Sequence, residues 1–185
     1  MNRHYFSELL KDRGNPFEIE TELRIRKLFE NKTGHEFEFR KNDDPFAWDI
    51  ECFKYIQRGS EWERVFCCFV EVEVSEQWQN EYPAYWKTYS FLARKIHPFV
   101  NGRFLTDQLR EHAEKCFYIV CNKSITDCKM ICLSDAMSGS FKQCGSLSSL
   151  GSYGSAFRRF PLNSELVYRG FENSVSAVLQ FSNNV

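Results

Sequence analysis

The sequence predicts a mixed α/β fold, a central mixed sheet with helices packed on it. Three observations predict it. A capped helix signal stands at Asn15-Pro16. Three strand-like segments follow, the last a nearly continuous apolar run that ends at Val74. A helical region and two more apolar strands come after them. The chain has 185 residues, 43% of them hydrophobic. That is the length of one domain, and a domain of this size hides roughly 70% of its unfolded surface. Residues 1–185 are therefore read as a single domain.

The elements follow in order. Asn15 can cap a helix, Pro16 suits its first position, and Glu18 stands where a capping-box acid belongs. The helix runs to about residue 31 and closes near Gly34. Glu22, Ile25 and Phe29 share one of its faces. Glu22 either pairs with Arg26 one turn later or looks inward from that apolar stripe. Residues 36–40 alternate with period two. So do residues 47–53, with Trp48, Ile50 and Cys52 on one face and Asp49, Glu51 and Phe53 on the other. A turn at 58–60 leads into residues 64–74, which read as a central strand buried on both faces. Its end places Glu71 and Glu73 on the same face, about 7 Å apart along the strand. Residues 86–96 read as a helix that stops before His97-Pro98, and 106–115 as a second, short one. Residues 116–121 and 129–133 are two further strands, joined by a polar link at Thr126-Asp127. Composition then shifts to Ser and Gly, and residues 134–155 are expected to form a flexible loop. Residues 175–181 are a last apolar element.

Charge and cysteine usage exclude several classes. With 24 basic and 25 acidic residues the net charge is −1, so the chain is no electrostatic coat for nucleic acid. Any such surface must come from local segregation of charge. The eight cysteines sit mostly inside apolar runs, show no Cys-x-x-Cys pair and share no ligand spacing with the four histidines. They read as small buried hydrophobes, neither disulfides nor a zinc site. No apolar run is long enough to span a membrane, and the N-terminus carries no signal-peptide stretch. The expected setting is intracellular: the cytoplasm, or the nucleus in a eukaryote. No glycine-rich phosphate loop follows any strand.

The acids carry the chemistry. If the 47–53 and 64–74 strands pair as a hairpin, the side chains of Asp49 and Glu71 converge. Buried carboxylates repel one another unless a cation joins them. Their hard oxygens suit Mg²⁺ or Mn²⁺. The alternative is that both glutamates look into solvent and pair with Lys or Arg on neighbouring strands. Trp78, Trp86 and Tyr89 either cover the sheet or stack an unpaired base. Arg158 and Arg159 are either a solvated pair or phosphate contacts.

A helix with an acid (Glu22), a strand, a strand with Asp49, then an apolar strand ending in Glu71-Val72-Glu73 resembles the αβββαβ core of the PD-(D/E)xK, or restriction-endonuclease-like, nuclease superfamily. The resemblance covers residues 16–122. It implies that Asp49, Glu71 and the carbonyl of Val72 hold a Mg²⁺, with Mn²⁺ able to substitute, and that Glu22 supports the outer shell. Position 48 is Trp, not the family's Pro, and position 73 is Glu where the family usually has Lys. Some members use Glu there as a ligand or base, and others carry the lysine on the next helix. Lys95, with Arg94 beside it, and Lys87 are the candidates for such a lysine. A cation there would stabilise developing negative charge. The implied activity is hydrolysis of phosphodiester bonds in nucleic acid, with DNA expected, by a Mg²⁺-activated water. Arg94, and from their place beside the Ser/Gly-rich stretch Arg158 and Arg159, are the candidate phosphate contacts, and a homodimer is the assembly the resemblance implies. The alternative is a nucleic-acid- or protein-binding module on the same fold without catalysis.

Overall fold

The computed structural model describes residues 16–33, 37–41, 49–75, 77–92, 113–136, 138–143 and 156–183. Helix α1 (Pro16–Thr33) begins at Pro16, as its sequence signal predicts. An antiparallel meander follows: β1 (Phe37–Lys41), β2 (Ile50–Arg58) and β3 (Glu61–Ser75). The β2–β3 loop is two residues long, and Gly59 holds a φ of +67° that a side chain would resist. Strand β5 (Cys116–Asn122) lies parallel to β3, and β6 (Cys128–Cys132) and β9 (Val167–Arg169) extend the sheet antiparallel. The order is β1-β2-β3-β5-β6-β9, so β3 and β5 occupy the middle and are covered on both faces. The expected mixed α/β architecture is the one observed.

One face of this sheet carries helices. Ile25 of α1 and Val175 and Val178 of α3 (Phe171–Asn183) pack on Cys68, Val70 and Val72 of β3 and on Phe117 and Ile119 of β5. The opposite face is covered by a smaller antiparallel sheet in the order β4-β8-β7, made of β4 (Thr88–Leu92), β7 (Ser140–Gln143) and β8 (Ala156–Pro161). Its Tyr89, Phe91 and Phe160 pack on Tyr118, Val120 and Ile131. Alternation along β3 thus sends Val70 and Val72 to the helices, and Glu71 and Glu73 to the smaller sheet.

A bulge sets that phase. Cys52 pairs with Cys68, whereas Phe53 pairs with Phe66, so Cys67 is one residue extra in β3. The extra residue lets Phe66 and Phe69, three apart in sequence, share a face with ring centroids 4.4 Å apart. It also accounts for two adjacent buried residues at Cys67 and Cys68.

Two expectations need correction, and a third falls mostly on residues 106–112, outside the described residues. Residues 86–96 were expected to be a helix, but Thr88–Leu92 is strand β4 paired with β8. Its own alternation, Tyr89 and Phe91 inward against Thr88, Ser90 and Leu92, is a strand period. The loop expected at 134–155 is partly ordered: the short helix α2 (Leu133–Ala136) and β7 occupy its first half, and 144–155 lie outside the described residues. Of the helix expected at 106–115, only Ala113–Lys115 is described, as a single 3₁₀ turn.

Gly139, next to β7, is needed for space. A Cβ there would run into the Phe160 ring. Gly139→Ala is expected to lower stability by about 1–3 kcal/mol through overpacking of the interface between the sheets. Chemical denaturation checks it, and an unchanged midpoint would contradict the close fit.

Candidate functional site

Asp49 and Glu71 lie in register where the β2–β3 ladder ends and β3 continues. Ile50 pairs with Val70 at the last position of that ladder, which leaves Asp49 one residue beyond it, across from Glu71. The Asp49 carboxylate accepts a hydrogen bond from the Val72 backbone N–H at 2.7 Å. It takes the place of the backbone partner that β2 no longer supplies. Amide and carbonyl of one strand residue face the same neighbour, so the Val72 carbonyl points toward the Asp49 side as well. Glu71 is buried, with 7% of its surface exposed, and Glu73 is half-buried. Glu71 therefore does not look into open solvent. Glu73 accepts a hydrogen bond from the Tyr118 hydroxyl of β5.

A cleft of about 730 Å³ opens at Glu73, between the end of β3 and the smaller sheet. Tyr118, Lys87, Ser90, Lys129 and Arg159 also line it. Of the cations suggested by sequence, Lys87 and Arg159 reach this cleft. Lys87 does so from the residue just before β4, not from a helix. Arg158 lies on the alternate face of β8 and donates to the Gly139 carbonyl at 2.8 Å. Arg94 and Lys95 lie outside the described residues, and the side chain of Glu22, on α1, does too.

Sequence reasoning missed Lys129. It enters the sheet through β6: Glu73 pairs with Val120, and Val120 with Lys129. Glu73 and Lys129 therefore stand on one face, two strands apart. Lys129 is 3% exposed, and its ammonium donates to the Ser90 carbonyl at 2.7 Å. Four rings surround it, with centroids of Trp78, Tyr82, Trp86 and Phe91 at 5.2–5.9 Å. Arg169, paired with Lys129 across the β6–β9 ladder, stacks over Trp78, Tyr82 and Tyr89 and binds Asp127. Burial pushes Lys129 down to about 7; the Glu73 charge pulls it up, and Arg169 pushes it further down. The signal was a lone lysine inside the otherwise apolar strand Cys-Lys-Met-Ile-Cys.

The aromatic residues divide between the two uses considered for them. Trp78 is fully buried and Tyr89 nearly so. Trp86 lines the cleft, and beside it Tyr85 is 74% exposed. Beneath them Asn122 of β5 is fully buried and ties down the floor. Its amide donates to the Asn80 carbonyl at 2.7 Å, and its oxygen accepts the Thr126 and Asp127 amides at 2.8 and 3.0 Å. Such a satisfied buried network holds its elements in one arrangement.

The donor set can be set against the needs of a divalent ion. Carboxylates and a backbone carbonyl are hard oxygen donors of the type Mg²⁺ takes, and Mg²⁺ commonly binds through one or two carboxylates while keeping several waters. Asp49, Glu71 and the Val72 carbonyl fit that pattern in kind. Among the described residues, no group of three or more His, Cys, Asp and Glu side chains is positioned to hold a metal ion.

No family model and no curated protein matches the sequence. A solved nuclease from a fusselovirus is similar in structure, with 12% sequence identity and a TM-score of 0.45 over 92% of this chain and 94% of that one.

Proposed function

We propose that the chain is a metal-dependent nuclease that hydrolyses phosphodiester bonds in nucleic acid, DNA being the expected substrate. One observation carries this reading. Glu71 is buried on the central strand, in register with Asp49, and Glu73, two residues on along the same face, lines a cleft together with the buried Lys129. Asp49, Glu71 and the Val72 carbonyl would hold Mg²⁺ or Mn²⁺, with Glu73 beside them and Glu22 in the outer shell. The ion supplies Lewis acidity toward a phosphoryl oxygen and a more acidic water. Glu73, which accepts the Tyr118 hydroxyl, would serve as the base for the attacking water. In its charged form Lys129 stabilises negative charge that develops on the phosphate. It does so from β6, so neither Lys87 nor Lys95 is required as the family's displaced lysine. Lys87 and Arg159 neutralise flanking phosphates, and Arg94 and Arg158 remain candidates for the same role.

A homodimer and an intracellular setting belong to the same reading. The seven described cysteines are buried, as small apolar side chains are. No helix among the described residues is long and apolar enough to cross a membrane.

One observation favours a second reading, a binding module without catalysis. Asp49 and Glu73 already accept hydrogen bonds from the protein itself. Thermal unfolding against Mg²⁺ and Mn²⁺ separates the two. An ion bound only by the folded state raises the melting point, by about 2.7 kcal/mol of stability at a hundred times its dissociation constant. The nuclease reading expects that rise, and expects its loss in Glu71→Gln. A melting point indifferent to both ions would favour the binding module.

A further inference from the structure

The cleft has a shape and lining that Mg²⁺ chemistry alone does not call for. Its volume of about 730 Å³ is on the scale of small-ligand sites, roughly 300–1,000 Å³. That is room for one or two nucleotides and not for a duplex. At its mouth Tyr85 leaves 74% of a large aromatic surface in water. The ring is not loose: it stands edge-on against Trp86 with centroids 6.2 Å apart, and Trp86 in turn packs on Tyr82 at 5.1 Å. Leu92 and Phe157 extend the apolar wall, Thr88 and Ser90 add polar groups, and Lys87 and Arg159 bring positive charge. Stacking walls next to cations are what an unpaired base and its phosphate need. In a duplex the base faces are already covered by their neighbours.

We propose that this cleft takes an unpaired nucleotide of single-stranded nucleic acid, the base stacked on Tyr85 and Trp86 and the phosphate held by Lys87 and Arg159. The inference deepens the nuclease reading by naming its substrate class, and it rests on that reading for the direction of the strand toward Glu73. It makes the strand-separated form, or a single-stranded end or flap, the preferred substrate over intact duplex.

The test is fluorescence anisotropy of the full chain with labelled 12-mers in EDTA, so that binding is read without cleavage. The probes are single-stranded DNA, single-stranded RNA of the same sequence, and the DNA duplex. Binding to either single strand at least tenfold tighter than to the duplex is expected. Tyr85→Ala, at an exposed position that the fold does not depend on, is expected to weaken single-strand binding roughly 5- to 100-fold. Lys87→Ala is expected to weaken it and to lessen its salt dependence. Equal or tighter duplex binding overturns the proposal, and so does an unchanged affinity in Tyr85→Ala. Single-strand binding in EDTA with no cleavage when Mn²⁺ is restored supports this inference and overturns only the catalytic reading.

Discussion

Glu71→Gln will lower metal-dependent cleavage by about 10²-fold or more and leave the fold intact. Glutamine keeps the volume of a side chain that is 7% exposed, so no cavity forms. What is lost is the negative oxygen of β3 proposed as a metal ligand. Loss of outer-shell partners alone costs 10–100-fold in metal sites, and loss of a ligand costs more. Asp49→Asn should act likewise on cleavage, with a smaller margin on stability, because Asp49 also accepts the Val72 N–H. An amide oxygen still accepts that bond, so the β2–β3 junction survives. Circular dichroism and melting points establish that both variants are folded before rates are compared. A folded Glu71→Gln protein that cleaves at the wild-type rate would remove Glu71 from the site.

Lys129→Met separates catalysis from stability in the opposite way. Methionine fills nearly the same space without a charge, and replacing a buried charge by a well-packed apolar group is often neutral or stabilising. Against that stands the lost bond to the Ser90 carbonyl, worth about 1–3 kcal/mol if the carbonyl is left dry. The expected balance at pH 6 is a variant no less stable than the wild type, with cleavage reduced about 10²-fold. The pH dependence gives a second readout. Lys129 is held at about 7 in the fold, whereas in the unfolded chain it titrates near 10.4. Above pH 7 the unfolded chain therefore binds a proton that the folded protein does not. Lysine at this position thus makes stability rise with pH from about 7 toward 10. Buried thiols such as Cys116, whose burial pushes it up to about 12, work the other way in both proteins. The quantity to measure is therefore the difference between wild type and Lys129→Met. That difference should shift in favour of the wild type between pH 7 and 9. A difference flat across that window would mean that Lys129 stays charged in the fold.

Local signals carried much of this architecture. The Asn15-Pro16 signal in the sequence marked the start of α1 at Pro16. Two-residue alternation and the Gly59-Ser60 turn fixed the β2–β3 hairpin, and with it the register of Asp49 with Glu71. What the sequence hid was non-local. Strand β4 is held by β8, about seventy residues later, and residues 86–96 taken alone show enough helix-compatible side chains to mask the period of two in Thr88–Leu92. The β7 strand lies in a Ser/Gly-rich stretch whose composition says loop, yet Ser140–Gln143 pairs with β8 because tertiary pairing overrides weak propensity. Lys129 escaped because its neighbours read as an ordinary buried strand. Only the order of strands β3, β5 and β6 shows that it faces the same side as Glu73. The lysine sought downstream on a helix is, in this reading, on the sheet itself.

The central claim is that Asp49 and Glu71 form a metal site that cleaves nucleic acid. Its most direct test is incubation of single-stranded, duplex and branched DNA and of RNA with the protein in Mg²⁺ and Mn²⁺, beside Asp49→Asn and Glu71→Gln. The account predicts cleavage that requires the metal, stops with chelation, favours single-stranded substrate and disappears in both variants. Cleavage of no substrate in either metal, or cleavage that persists in both folded variants, would contradict it.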